Sequence, residues 1–159
     1  MITLLPMTDE QFAVFAQDAI RDYAADKRAN GLWSADEALE RAREIFGELL
    51  PQGPATPDHH LYVLRDPERQ VEVGTLWLAV VERAGRRIAY VYGVDILAEY
   101  RRQGYATQAF RALEDQVGAW GLAGIALHVF GHNSGAQALY ESLGYAVTDI
   151  MLFKALPPN

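Results

Sequence analysis

The stretch IAYVYGVDILAEYRRQGYAT, residues 88–107, joins two segments of opposite character. Ile88 to Leu97 is an apolar run rich in β-branched and aromatic residues, the composition of a buried strand. It ends in the charged turn Ala98-Glu99-Tyr100-Arg101-Arg102-Gln103, followed by Gly104. From Ala106 onward Ala109, Phe110, Leu113, Val117 and Trp120 recur at helical spacing. A strand therefore runs through a short basic turn directly into a helix. Free N–H groups and the positive end of the peptide dipole gather at a helix start, which suits it to hold a phosphate. An ordinary strand-to-helix turn looks the same, so the flanking chain has to discriminate.

Upstream, Ile2 to Leu5 reads as an edge strand. Thr8 and Gln11 form a capping-box pattern ahead of Phe12, Phe15, Ala16, Ala19, Ile20 and Tyr23, which predicts a helix to about Lys27 or Arg28, broken by Gly31. Ser34 and Glu37 repeat the pattern before a second helix that stops at Pro51. Residues 51–60, PQGPATPDHH, read as a loop. Leu61 to Arg65 and Val71 to Glu82 are strands, and Ala84-Gly85-Arg86 turns the chain back into Ile88. Downstream, Ile125 to Phe130 reads as a strand and Asn133 to Leu143 as a helix stopped by Gly144. Tyr145 to Val147 and Ile150 to Lys154 read as final strands. The order β-α-α-β-β-β-α-β-α-β-β predicts a three-layer α+β domain over residues 1–159. Its sheet is expected to be mixed, mostly antiparallel, of six to seven strands, with helices on both faces.

With 159 residues, half of them apolar, the chain can bury a core without covalent staples. The absence of cysteine excludes disulfides, thiolate metal sites and a cysteine nucleophile. No apolar run approaches the roughly 20 residues that span a bilayer, and no signal-like N-terminus is present, so a cytoplasmic location without membrane association is expected. A net charge of −7 argues against nucleic acid as a partner and suits a cationic or amine-bearing substrate, though solubility alone explains acidity equally well. The turn at residues 101–106 lacks the lysine and hydroxyl of a Walker loop and is not a G-x-G-x-x-G fingerprint.

Two separated patterns resolve the turn. Arg101-Arg102-Gln103-Gly104-Tyr105-Ala106 fits Q/R-x-x-G-x-G/A, and Asn133, Ala136, Tyr140, Gly144 and Tyr145 fit N-x-x-A-x-x-x-Y-x-x-x-G-[FY]. In both motifs, and in their separation, the chain resembles the GNAT superfamily of N-acetyltransferases over about residues 88–147. The resemblance implies that fold and acetyl-CoA as co-substrate, with no metal. It further implies that main-chain N–H groups of Arg102, Gln103, Gly104, Tyr105, Ala106 and Thr107 wrap the pyrophosphate. Small residues at 104 and 106 then allow close approach. Val94, Asp95 and Ile96 would pair with the pantetheine arm, and a backbone N–H there would stabilise the thioester oxygen as negative charge develops. Gly93 inside the strand marks a bulge or a close backbone approach.

The resemblance places Asn133 against the pantetheine region and gives Tyr140, two helical turns later, the role of proton donor to the leaving thiolate. A core aromatic packing its helix on the sheet would occupy the same position as Tyr140. The base is less determined. An amine titrating like lysine lies ~3 units above neutral pH, so deprotonation costs about 4 kcal/mol. Where some relatives carry a glutamate, five residues before the asparagine, this chain has His128. Its intrinsic pKa suits proton uptake at neutral pH, while a hydrogen-bonded structural histidine reads identically. A second family position for the base is Ile88 here, which leaves Asp95, a water chain, and the lesser candidates His59 and His60.

Small amines and protein or peptide amines both remain as acceptors, and a homodimer is compatible with the chain. Asp22, Asp26, Asp36, Asp58 and Asp149 lie where an acceptor would bind and read either as cation attractors or as solvated charge. The expected reaction is direct amine attack in a ternary complex. The alternatives are another acyl-CoA donor, or a non-catalytic acyl-CoA-binding module of the same fold.

Overall fold

The computed structural model describes residues 1–158. Among these, the strands are β1 (Thr3–Pro6), β2 (His59–Asp66), β3 (Val71–Arg83), β4 (Arg86–Ile96) and β5 (Ile125–Leu127). The helices are α1 (Asp9–Ala29), α2 (Ala38–Leu49), α3 (Tyr105–Ala119) and α4 (Ser134–Ser142), with single 3₁₀ turns at Gly53–Ala55 and Ala98–Tyr100. The sheet follows chain order, β1-β2-β3-β4-β5. Its first four strands pair antiparallel, and β5 joins β4 in parallel through the α3 crossover. The expected mixed, mostly antiparallel sheet forms, with five strands rather than six to seven.

Local chemistry sets the first elements. The Thr8 hydroxyl accepts from the Gln11 N–H at 3.1 Å while Gln11 Oε1 accepts from the Thr8 N–H at 2.9 Å, a complete capping box for α1. The second box does not close: Glu37 Oε1 reaches the Ser34 N–H only at 3.5 Å, and α2 starts without a side-chain cap. The β3–β4 hairpin turns on Ala84 and Gly85, both with positive φ (52° and 76°), as a two-residue loop requires. His59 and His60, expected in the proline-rich loop, instead open β2.

Both sheet faces are covered, and alternation along the strands assigns side chains to each. On one face Tyr62, Leu64, Leu76, Leu78, Ala89 and Val91 pack against Ala109, Phe110, Leu113 and Val117 of α3. On the other, Leu61, Val63 and Trp77 meet Phe46 and Leu50, with Phe12 and Phe15 of α1 alongside. Burying one such aliphatic side chain contributes about 2 kcal/mol.

Two departures from regular pairing shape the middle of the sheet. Leu78 faces Val91 but Trp77 faces Gly93, so Tyr92 is an extra residue in β4 and the register slips there. The slip changes which residues face α3. Ala89 and Val91 do so before it, and Val94 and Ile96 after it, so Asp95 turns toward the α1 side. The bulge expected at Gly93 is therefore present. In addition β4 pairs β5 only from Ala89–Ile125 to Val91–Leu127. Beyond Val91 it continues to Ile96 with its outer edge unpaired by any described strand.

The two final strands do not form. Residues 145–158 contain no regular element, and Ile150, Met151, Leu152 and Phe153 are 73–88% exposed. An apolar run becomes a strand only where a sheet edge accepts its hydrogen bonds. Here β5 is three residues long and offers little edge. Between α3, β5 and the end of α4 lies an open groove of about 430 Å³ that includes Val117, Ile125 and Tyr145, whose hydroxyl is buried without a partner. His128, expected inside a strand ending at Phe130, lies one residue past β5, because pairing with β4 ends at Val91–Leu127.

Gly74 makes the end of β4 possible. A Cβ at this position would stand 2.0 Å from the Asp95 carbonyl oxygen, because β3 and β4 close tightly opposite Ile96. Gly74→Ala is expected to cost about 3 kcal/mol in urea unfolding, as overpacking against backbone does. A change below about 0.5 kcal/mol, ordinary for a neutral site, would refute that close approach.

Candidate active site

The site is built where β4 parts from β5. Along the unpaired outer edge from Tyr92 to Ile96, backbone groups face away from β3 with no strand to meet them. Val94, Asp95 and Ile96 stay fixed from behind by pairing with Leu76, Thr75 and Gly74. The Ile96 carbonyl accepts from Arg101 Nε at 2.8 Å, and the same guanidinium lies 3.6 Å from Asp95. Arg101 thus braces the end of the strand. The Asp95 carboxyl is held above its usual range, first by loss of water around it and then by Asp22 and Asp18 on α1, with Arg101 opposing.

The turn that follows is shaped by backbone conformation. Arg102 and Gly104 have φ of 60° and 82°, and Gly104 caps α3 without a side chain. The first internal bond runs from the Gln108 N–H to the Gly104 carbonyl, 3.1 Å. The N–H groups of Tyr105, Ala106 and Thr107 are therefore those a helix start leaves unpaired. A Cβ on Gly104 would meet nothing within 4 Å, so the space above the turn is open. What the backbone requires of this residue is its positive φ.

The side chains of the turn point to structural duties. The Tyr105 hydroxyl donates to Asp66 Oδ2 at 2.6 Å and accepts from Arg69 Nη1 at 2.9 Å. Asp66 also accepts from the N–H groups of Glu68 and Arg69. Gln103 bonds the Glu99 carbonyl at 3.1 Å and Arg69 at 3.3 Å. Side chains thus clamp the turn to the β2–β3 connection.

On α4, Asn133 is the N-cap, its Oδ1 accepting from the Ala136 N–H at 3.2 Å, which leaves its amide NH₂ free to donate. Tyr140 packs edge-on against Phe110 (5.4 Å) and Tyr145 (5.8 Å), the packing expected of a core aromatic, and burial raises its phenol pKa.

The α1 face of the sheet carries an aromatic and imidazole cluster. Trp77 stacks on Tyr92 at 4.5 Å and donates from Nε1 to His59 Nδ1 at 2.9 Å, so His59 is a buttress for Trp77, its pKa lowered chiefly by burial. His60 lies against Trp120 (4.6 Å) on the opposite side. His59 Nδ1 is thus taken up by Trp77, and His60 lies away from this face. His128 does lie there, with its Nδ1 hydrogen-bonded to the Tyr90 hydroxyl. The acidic candidates are mostly occupied. Asp22 pairs with Arg21, Asp26 with His132 and Asp58 with Arg87, at 3.6–3.8 Å, and Asp149 bonds Thr148. Among the described residues no group of three or more histidine, cysteine, aspartate or glutamate side chains is arranged to hold a metal ion.

An unpaired strand edge beside a bulge is thus followed, one short turn later, by a helix start without a side-chain cap. Residues 18–145 match the acetyltransferase (GNAT) family. The chain belongs to that family. It is 36% identical to the uncharacterized N-acetyltransferase YycN of Bacillus subtilis over 98% of this chain and 99% of that one. The crystal structure of YycN superposes with a TM-score of 0.94 at 35% identity, covering 99% and 100% of the two chains. YdgE, a second uncharacterized N-acetyltransferase of Bacillus subtilis, is 29% identical over 97% and 98%. The fold also extends to AAC(6')-Iy, solved in complex with the bisubstrate analogue CoA-S-monomethyl-acetylneamine, with a TM-score of 0.59 and 15% identity over 99% of each chain. Members of the GNAT family draw their acyl group from acyl-CoA and pass it to amines.

Of the residues marked by sequence, 94–96 and 102–107 meet at the β4–α3 connection, His128 lies across the parting of β4 and β5, and Tyr140 faces the α3 core. Gly74, Asp66, Arg69 and Tyr90 escaped that reading. Gly74 carried a signal as a glycine inside a strand pattern. Asp66 and Arg69 carried none, because their role comes from a partner more than thirty residues away.

The clamp has a pH consequence. The Tyr105 hydroxyl, ahead of the Arg69 and Glu68 N–H groups, holds the Asp66 carboxyl below its usual range. A depressed carboxyl stabilises the fold at pH above its unfolded value, about 4, and that contribution is lost as pH falls through the folded pKa. Asp66→Asn is expected to lower the thermal midpoint at pH 7, with the gap to wild type narrowing toward pH 3. A gap that stays constant with pH would contradict the assignment.

Proposed function

We propose that this GNAT protein is an acetyl-CoA-dependent N-acetyltransferase that moves an acetyl group to a primary amine by direct attack in a ternary complex. The observation that carries the reading is the free edge of β4 at Val94–Ile96 lying one short turn before the uncapped start of α3. In this reading the N–H groups of Arg102 to Thr107 hold the pyrophosphate, and the edge of β4 takes the pantetheine as an added strand. The Asn133 amide donates alongside it. Acetyl-CoA supplies an activated acetyl group as a thioester.

A backbone N–H at Val94–Ile96, fixed from behind by β3, stabilises negative charge on the thioester oxygen without reorganising. Tyr140, whose burial keeps its phenol protonated, gives its proton to the departing thiolate. His128 is the base. A cytoplasmic setting, where acetyl-CoA is available, suits the reaction.

The test is thiol release from acetyl-CoA against a panel of small amines and amine-bearing peptides. Turnover should depend on amine, and Tyr140→Phe should lower kcat about 10²-fold with acetyl-CoA affinity intact. Acetyl-CoA binding without turnover on any amine would favour a non-catalytic acyl-CoA-binding module, with Tyr140 only packing its helix.

A further inference from the structure

Tyr90 and His128 are joined where the sheet divides. Tyr90 pairs with Ala126, the next pair, Val91–Leu127, is the last between β4 and β5, and His128 is the first residue beyond it. Ile125 and Leu127 pack toward α3, so strand alternation puts His128 on the opposite face, with Tyr90 and Tyr92. There the Tyr90 hydroxyl bonds His128 Nδ1, the ring centres 5.7 Å apart. Tyr90 is half-buried and His128 is exposed, open to an incoming amine and to water.

We propose that Tyr90 and His128 form the proton relay that deprotonates the acceptor amine, the Tyr90 hydroxyl meeting the amine and His128 Nδ1 standing behind it as the base. The inference rests on the acetyl-transfer reading above. With Nε2 carrying the imidazole proton, Nδ1 is the ring's one basic position, and the Tyr90 hydroxyl already occupies it. The phenolic oxygen keeps a lone pair for a second N–H. Around this pair stand Tyr92 on β4, Tyr23 on α1, Arg83 at the end of β3, and His59 of β2 stacked on Tyr92. Burial first, then Tyr92 and Tyr23, raise the Tyr90 pKa, so the residue passes a proton on and does not rest as phenolate.

The protons balance. As one leaves the ammonium nitrogen for the Tyr90 oxygen, the phenol's own proton moves to Nδ1, giving neutral amine, neutral phenol and imidazolium. The nitrogen lone pair then bonds the acetyl carbon as the C–S bond breaks. The nitrogen sheds a second proton, matching the one the thiolate takes up, and the imidazolium returns its proton to water.

The experiment compares wild type, Tyr90→Phe and His128→Gln in the pH dependence of kcat/KM, with acetyl-CoA affinity measured by calorimetry and the His128 imidazole followed by NMR titration of the free enzyme. Tyr90→Phe keeps the ring and its packing. Both variants are expected to bind acetyl-CoA as wild type does, to lose about 10²-fold in rate, and to lose the limb of the profile that titrates as histidine. Tyr90→Phe alone should also move the His128 titration in the absence of any substrate. Variants within about twofold of wild type with the limb unchanged, or a His128 titration indifferent to Tyr90→Phe, would overturn the relay while wild-type turnover stands. Absence of wild-type turnover on every amine would remove the reading and the relay together.

Discussion

The site depends on one extra residue in β4. Were Tyr92 not unpaired, Val94 and Ile96 would present their side chains to α1 and Asp95 would face the apolar α3 core, where a carboxylate is costly. The bulge lets one strand bury Ala89 and Val91 before it and Val94 and Ile96 after it. It also adds twist, and pairing with β5 stops immediately before it. A fully paired sheet would have no main-chain donors to offer at its centre. Parting the strands exposes them where β3 and the packed layers still hold the backbone.

Rigidity at that point comes from close contacts behind the free edge. Gly74 lets β3 press on the Asp95 carbonyl, and Arg101 ties the Ile96 carbonyl from the other side. The turn into α3 is held in the same manner, by the Tyr105–Asp66–Arg69 clamp. In both segments, side chains and close packing fix the frame. Preorganised N–H groups of this kind act on developing charge without reorganisation at the moment of reaction.

Much of this was legible in residue order. The Thr8–Gln11 cap, the Ala84–Gly85 hairpin and the α3 stripe each follow from local chemistry, and Gly93 marked the bulge within one residue. The β4 edge and the turn into α3 could be located because they are made of main chain within twenty consecutive residues. What could not be read depended on partners. Apolar residues 150–154 satisfy a strand pattern, yet a pattern states only that a residue is able to face a core, not that an edge awaits it. The Tyr90–His128 contact spans thirty-eight residues and appears only once β4 and β5 lie side by side. Tyr140 kept both of its readings: its ring packs on Phe110 as a core residue does, on the helix where an acid belongs.

The central claim is that the edge of β4 and the start of α3 act together as one binding surface for the donor. Amide NMR of the protein titrated with acetyl-CoA tests it directly. The largest shifts are expected on the amides of Val94 to Ile96 and Arg102 to Thr107, saturating with a single affinity. Shifts confined to the groove beside Tyr145, or two sets of amides saturating independently, would contradict it.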